Sequence, residues 1–217
     1  MYISDYLSYL TTGEIKQLAI SDLGDATPTD KQKANKAALI NFINLANVEI
    51  HKKFSLISKE MVFTDVKPNS VHSIPTDFLF AISASYSDGT EIPINNEKSN
   101  FVDKVDYNVS VLFPSPFKML VKGIDKDGRD DISLVYIAVP AKVTKTTDFL
   151  DLPEIYTEAL LDYVAYKAHA SIKGDMKAEN NTYYLRFIES CKNIKIAGLS
   201  NSDNLDSNTK LTDRGFV

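Results

Sequence analysis

Residues 151–168 read Asp151-Leu152-Pro153-Glu154-Ile155-Tyr156-Thr157-Glu158-Ala159-Leu160-Leu161-Asp162-Tyr163-Val164-Ala165-Tyr166-Lys167-Ala168. Pro153 stands where a helix can begin, because the N–H it lacks would have no partner there. Behind it Ile155, Ala159, Tyr163 and Val164 form an apolar stripe, with four-residue steps from Ile155 to Tyr163, and Tyr156, Leu160 and Tyr166 widen it. This is the period of an amphipathic helix. Gly174-Asp175 breaks the run, and a second helix follows with Tyr184, Phe187, Ile188, Cys191 and Ile194 on one face. A helical hairpin of this kind cannot bury both stripes by itself, so a further helix must cover it.

The covering helix lies far upstream. From Lys33 to Leu56 the residues Leu39, Phe42, Ile43, Ala46, Ile50 and Phe54 mark one face, and at 1.5 Å per residue the segment would be about 36 Å long. A shorter helix is expected before it, with Thr12 as cap and residues 14–18 as body, and Gly24 to Asp30 forms the connecting loop. Between the two helical parts the period changes. Met61–Val66, Leu79–Tyr86, Glu91–Ile94, Phe101–Leu112, Phe117–Ile124 and Ile132–Val139 are short β-rich runs. Asp88-Gly89 and Asp127-Gly128 are hairpin turns, since both residue types tolerate positive φ. Six of the eight prolines fall here and mark strand ends, edges or bulges. The expected fold is therefore α+β: an N-terminal helical part (1–59), a small antiparallel β sandwich or barrel-like sheet (60–147), a C-terminal helical hairpin packing on the first helices (148–197) and an extended tail (198–217).

That tail is rich in Ser, Asn, Asp and Thr. It has too few apolar residues to form a core of its own. Leu199, Leu205, Leu211 and Val217 recur every six residues, which places them on one side of an extended chain. With Phe216 they are the candidate partner-binding residues, and a frayed terminus is the competing reading.

The 217 residues are 44% hydrophobic and 24% charged, an ordinary globular composition. Lys and Arg number 24 against 29 Asp and Glu, a net charge of −5, and Arg129, Arg186 and Arg214 are the only arginines. Tight phosphate binding needs a cation surplus and bidentate donors, and both are scarce. The single cysteine excludes an intramolecular disulfide. No apolar run is long enough to cross a bilayer, and Met1 to Asp5 has no basic, signal-like character, so a soluble protein made in a cytoplasm is expected.

Catalytic chemistry finds little support. His51, His72 and His169 fall one to each segment, without a second ligand at metal spacing. His51 and His169 read as solvated or helix-end histidines, and Cys191, beside Phe187, Ile188 and Ile194, reads as a small buried hydrophobe rather than a nucleophile paired with His169. The acidic run Asp125 to Asp131 fails as an EF-hand, with Gly128 at its fourth position and Tyr136 where the bidentate Glu belongs. It reads as a hairpin tip. No phosphate-binding glycine loop or nucleophile elbow is present. The C-terminal tyrosines, spaced as on helices, read as core or subunit-interface anchors. No enzyme activity, cofactor or metal is expected.

Residues 151–168, then Gly174-Asp175 and Tyr183-Tyr184-Leu185-Arg186-Phe187, resemble the C-terminal helical hairpin of tailed-phage head-to-tail adaptor proteins. Asn44 to Phe54, Ile74-Pro75-Thr76-Asp77-Phe78, Tyr86, Asp88-Gly89 and Ile92-Pro93-Ile94 resemble that family's helix, "LP.DF" motif and hairpin, with Ile74 in place of the usual Leu. The likeness covers most of residues 33–196. It implies a structural virion protein: a homo-oligomeric ring of twelve copies under the portal protein, in contact with downstream tail and neck proteins, through which genomic DNA passes without being held tightly. The alternatives are a non-viral protein- or carbohydrate-binding β module on a helical scaffold and an enzyme with an unrecognised site.

Overall fold

The computed structural model describes residues 1–24, 27–67, 69–95, 109–123, 128–173 and 181–198. The chain divides into a helical unit, residues 1–54 with 141 onward, and a β unit, Ser55–Pro140.

In the helical unit α1 (Ile3–Thr12) places Ile3, Tyr6, Leu7 and Leu10 on its buried side. The expected short helix after Thr12 is thereby corrected: the helix lies before that residue and ends at it. Thr11 and Thr12 do not cap a following helix; their hydroxyls donate back to the carbonyls of Leu7 and Ser8 at 2.8 and 2.7 Å. Gly13 closes the helix, and a Cβ there would stand 2.8 Å from the Tyr9 carbonyl oxygen. At the other end the Asp5 carboxylate accepts from the Tyr2 backbone N–H at 3.1 Å. The N–H groups of Ile3 and Ser4 donate to the carbonyls of Asp148 and Thr146, both at 3.0 Å. The donors that any helix start leaves unpaired are thus met by a distant part of the chain.

Helix α2 (Asp30–Phe54) buries Leu39, Ile43, Ala46, Ile50 and Phe54, while Phe42 is only half-buried. A 3₁₀ turn (Glu154–Tyr156) leads into α3 (Thr157–Lys173), and α4 (Thr182–Ile196) completes the hairpin, with the Asn181 side chain capping it through the N–H groups of Tyr183 and Tyr184. Helix α3 packs against both α2 and α4. Phe187 is 1% exposed and meets the Tyr163 ring edge-on at 5.0 Å, and Phe54 meets Tyr156 at 4.8 Å. Two members of the expected stripes stand outside this core: Ile155, carried by the 3₁₀ turn, and Ile188 are 41% and 37% exposed. Asn44 joins α2 to the returning chain, donating from Nδ2 to the Val143 carbonyl at 2.8 Å and accepting the Val143 N–H at 2.9 Å.

The β unit has two four-stranded sheets. One, in the order β1 (Ser58–Phe63), β8 (Ile132–Ala138), β3 (Phe78–Tyr86), β4 (Glu91–Ile92), is antiparallel throughout. The other runs β2 (Val71–Ser73), β7 (Lys118–Gly123), β6 (Val109–Ser115), β5 (Ile94–Asn95), with β5 and β6 parallel. Strand β2 escapes a sequence reading because three residues are too few to show alternation. Val111, Met119 and Val121 from one sheet share a core with Ala84, Ile132 and Leu134 from the other, as in a sandwich. Pro93, without an N–H, separates β4 in the first sheet from β5 in the second. At the β3–β4 turn Gly89 has φ +86°, Tyr86 N–H donates to the Thr90 carbonyl, and Asp88 Oδ1 accepts the Thr90 N–H. The expected Asp127-Gly128 turn and the start of the Phe101–Leu112 run lie partly outside the described residues.

Phe187→Ala should lower the unfolding free energy by about 3–5 kcal/mol. Asn44→Ala, which strands both Val143 backbone groups, should lower it by about 1–3 kcal/mol. Urea unfolding of the full chain measures both, and an effect below 1 kcal/mol in each would show that neither contact holds the unit together.

Candidate interaction surfaces

The residues singled out for chemistry are dispersed and occupied. His51 is buried, not solvated as its helix-end position suggested. Its Nδ1–H donates to the Asn47 carbonyl at 2.8 Å, and burial lowers its pKa. His72 Nε2 meets the Ser70 hydroxyl at 2.7 Å, and its ring meets Phe63 edge-on. The ring of His169 stacks on Tyr183 at 4.7 Å, with Nε2 3.2 Å from the Glu14 carbonyl oxygen. Cys191 is buried, and burial pushes its thiol up to about 11 although Lys53 and Lys195 pull it down. A thiol so held stays protonated near neutral pH and is a poor nucleophile. Among the described residues no group of three or more His, Cys, Asp or Glu side chains could hold a metal ion. Arg129 lies over the Tyr86 ring at 4.2 Å and pairs with Asp88 at 2.8 Å.

The densest polar cluster is one the sequence reading passed over. Arg186 on α4 donates from one Nη to Glu14 at 3.0 Å, and its Nε forms an ion pair with Asp162 on α3 at 3.2 Å, so one guanidinium ties the segment after α1 to the hairpin. Asp162 is 1% exposed, and its Oδ2 is without a hydrogen-bond partner. Burial pushes this carboxyl up to about 6; Arg186 pulls it down, while Glu158 and Glu14 add to the rise. A sequence signal existed: Asp162 interrupts Leu160-Leu161-Asp162-Tyr163-Val164 inside the apolar stripe, and a carboxylate buried there needs a cation.

Among the concave surfaces of the described residues, two are wide open grooves. A groove of about 440 Å³ between the 3₁₀ turn with the start of α3 and α4 has Ile155, Ile194 and Ala197 in its lining, together with Glu158, Glu189 and Arg186. In the β unit a wider apolar groove of about 740 Å³ is lined by residues including Phe78, Phe80, Phe113, Pro114 and Pro116, with the Phe78 and Phe113 rings stacked at 5.2 Å. Neither has the enclosed, convergent polar groups of a small-molecule site. The predicted partner-binding residues Leu199, Leu205, Leu211, Phe216 and Val217 lie outside the described residues.

The sequence matches the SU10 adaptor protein family over residues 10–204. No curated protein matches it. Among solved structures it is similar to one described as "Neck of empty GTA particle computed with C6 symmetry", at 13% identity over 88% of each chain with a TM-score of 0.32, a likeness too slight to carry argument. The family match spans almost the whole chain and selects the adaptor among the readings the sequence left open. The chain belongs to the SU10 adaptor protein family. The family is one of adaptor proteins, and among the described residues no helix is long and apolar enough to cross a membrane.

The Asp162 carboxyl makes a pH-dependent contribution whose sign follows from its raised value. Between about 4 and 6 the folded state holds a proton that the unfolded chain releases, so the contribution is complete below this window and is lost as pH rises through 6. Asp162→Asn removes the titration. Relative to the natural chain, the variant should gain about 2–3 kcal/mol of stability between pH 4 and pH 8. The depressed His51 pKa acts oppositely but is common to both proteins, so the difference between their two urea-unfolding series isolates Asp162. A pH-independent difference would show that the carboxyl titrates normally.

Proposed function

We propose that this adaptor assembles as a closed ring of twelve copies beneath the portal, joins capsid to tail and lines the channel by which genomic DNA leaves. The observation that carries the reading is the match to an adaptor family over residues 10–204. The composition supports it: each phosphate that a channel wall neutralises adds to affinity and retards sliding, and a chain of net charge −5 with three arginines holds duplex DNA weakly.

Residues 198–217 serve as the assembly arm. Their apolar content is too low to offset an ordering cost of roughly 1–2 kcal/mol per residue unaided. Docked as an extended strand, positions six apart lie on one side about 20 Å apart. Leu199, Leu205 and Leu211, with Phe216-Val217 at the end, then enter successive pockets on the portal or a neighbouring subunit, with main-chain hydrogen bonds between them.

Deleting residues 198–217 should leave the melting temperature of the purified protein nearly unchanged and abolish its attachment to portal-bearing capsids, as followed by co-sedimentation and electron microscopy. Normal attachment of the truncated chain would place the portal contact on the folded units instead. Binding of the full chain to random duplex DNA should be weaker than about 10⁻⁶ M at 150 mM salt, and tighter binding would exclude a passive conduit.

A further inference from the structure

Strand β3 loses its neighbour on one side partway along. On the other side β8 follows it from Phe78 to Tyr86, but β4 meets it only at Ala84 and Ser85. After Ile92 the chain passes through Pro93 to the second sheet, where β5 runs beside β6. Among the described residues, positions 78–83 of β3 therefore have no strand on the side that β4 holds further along. Burial follows the gap: Ala84 and Tyr86 are buried, whereas none of residues 78–83 is, and Phe80 is 40% exposed. The second sheet stops short as well, because β5 meets β6 at Val111 and Leu112 and not at Phe113 to Ser115.

The apolar groove of about 740 Å³ opens at this gap. Its lining joins Phe78, Phe80 and Ala81 of β3 to Ile94, Phe113 and Pro116, and among the described residues no charged side chain lines it. Phe78, Ala81, Ile94 and Phe113 also pack against the sandwich core, so the groove is an uncovered margin of that core. Sheet edges are ordinarily kept short, charged or covered. Six residues of open edge are about 20 Å long, and an apolar edge of that length accepts a further strand, with main-chain hydrogen bonds to the edge and side chains in the groove.

We infer that this groove receives residues 211–217 from the arm of another copy, added as a strand on β3 with Phe216 against the Phe78–Phe113 stack. This rests on the arm and ring readings above and commits the arm to a neighbouring subunit. Phe216 is the single aromatic residue between 199 and 217, and rings pair favourably at centroid distances of about 4.5–7 Å. The uncharged lining disfavours the stretch from Asp203 to Asp206 and offers a phosphate chain no cation. Nineteen residues follow Gly198. Seven of them fill the slot, and the other twelve span up to about 40 Å, enough to reach an adjacent molecule. Arm and groove are different patches, so each junction is heterologous, as a closed ring requires.

The test uses the full chain on portal-bearing capsids. With p-benzoylphenylalanine in place of Phe216, in a mixture of isotope-labelled and unlabelled copies, illumination should join residue 216 of one copy to residues 78–81 or 113–116 of another, read by mass spectrometry as mixed-label peptide pairs. Phe80→Asp, checked for folding by circular dichroism, should weaken attachment at least tenfold and remove these cross-links, and Phe80→Leu should keep both. The cross-link decides by itself if the charged variant fails to fold. Cross-links confined to single copies, cross-links to the portal, or normal attachment of a folded Phe80→Asp chain would overturn this assignment while leaving the ring reading intact. Attachment that survives loss of residues 198–217 would overturn the arm reading and this proposal with it, and a chain that stays monomeric on portal-bearing capsids would overturn the ring reading itself.

Discussion

The helical unit closes only when two stretches separated by the whole β unit meet at the first helices. Asn44 reads the Val143 peptide on both its donor and acceptor sides, and the opening N–H groups of α1 find their acceptors at Thr146 and Asp148. Without the returning chain these helix-start donors would need water, and α2 would expose Ile43, Ala46 and Ile50. Without α2, the α3–α4 hairpin would have one stripe too many. The β unit tolerates its position between the two because it has its own core, and because loop-closure entropy grows only logarithmically with the length inserted.

Much of this was legible because periodicity survives in single sequences. The stripe Leu39 to Phe54, the Pro153 start and the Asp88-Gly89 turn each express a local rule, and the structure obeys them. The errors arose where a local rule has two outcomes. Thr12 can cap a helix that follows or donate back into one that precedes; Ile3, Tyr6, Leu7 and Leu10 already carried the period that decides for the second. Ile155 and Ile188 obey the helical period yet remain exposed, because which edge of a stripe is covered depends on the neighbour. His51 stands in the last turn of α2, as its position implied, yet it is buried and not solvated, a tertiary outcome with no sequence marker beyond the apolar residues around it.

The polar cluster shows the same limit from another side. Asp162 could be recognised as anomalous from its place in an apolar run, but its partner Arg186 lies 24 residues ahead on α4, and Glu14, which shares that guanidinium, lies far behind. Nothing in a linear reading connects the three. A buried ion pair of this kind is weak support for stability, since desolvation offsets most of the attraction, and the raised Asp162 value is that offset expressed as a titration. Its structural effect is directional: one guanidinium fixes how the segment after α1 meets both helices of the hairpin, beside a groove whose remaining carboxylates are left to face outward.

The distribution of cations bears on how such a protein can line a path for DNA. Lys53 lies over the Phe187 ring at 5.6 Å, Lys195 over Phe54 at 5.8 Å, and Lys167 near both Tyr163 and Tyr166. Their alkyl stems cover the margin of the aromatic core, and their charges answer ring faces. The two described arginines are likewise engaged, Arg129 by Asp88 and Tyr86, Arg186 by Glu14 and Asp162. Bidentate donors that would grip a phosphate backbone are therefore used inside the subunit, where releasing them would break a fold contact. Weak, diffuse interaction with a passing polyanion follows from that allocation as well as from the net charge, which supports the proposal of a conduit that guides DNA without retaining it.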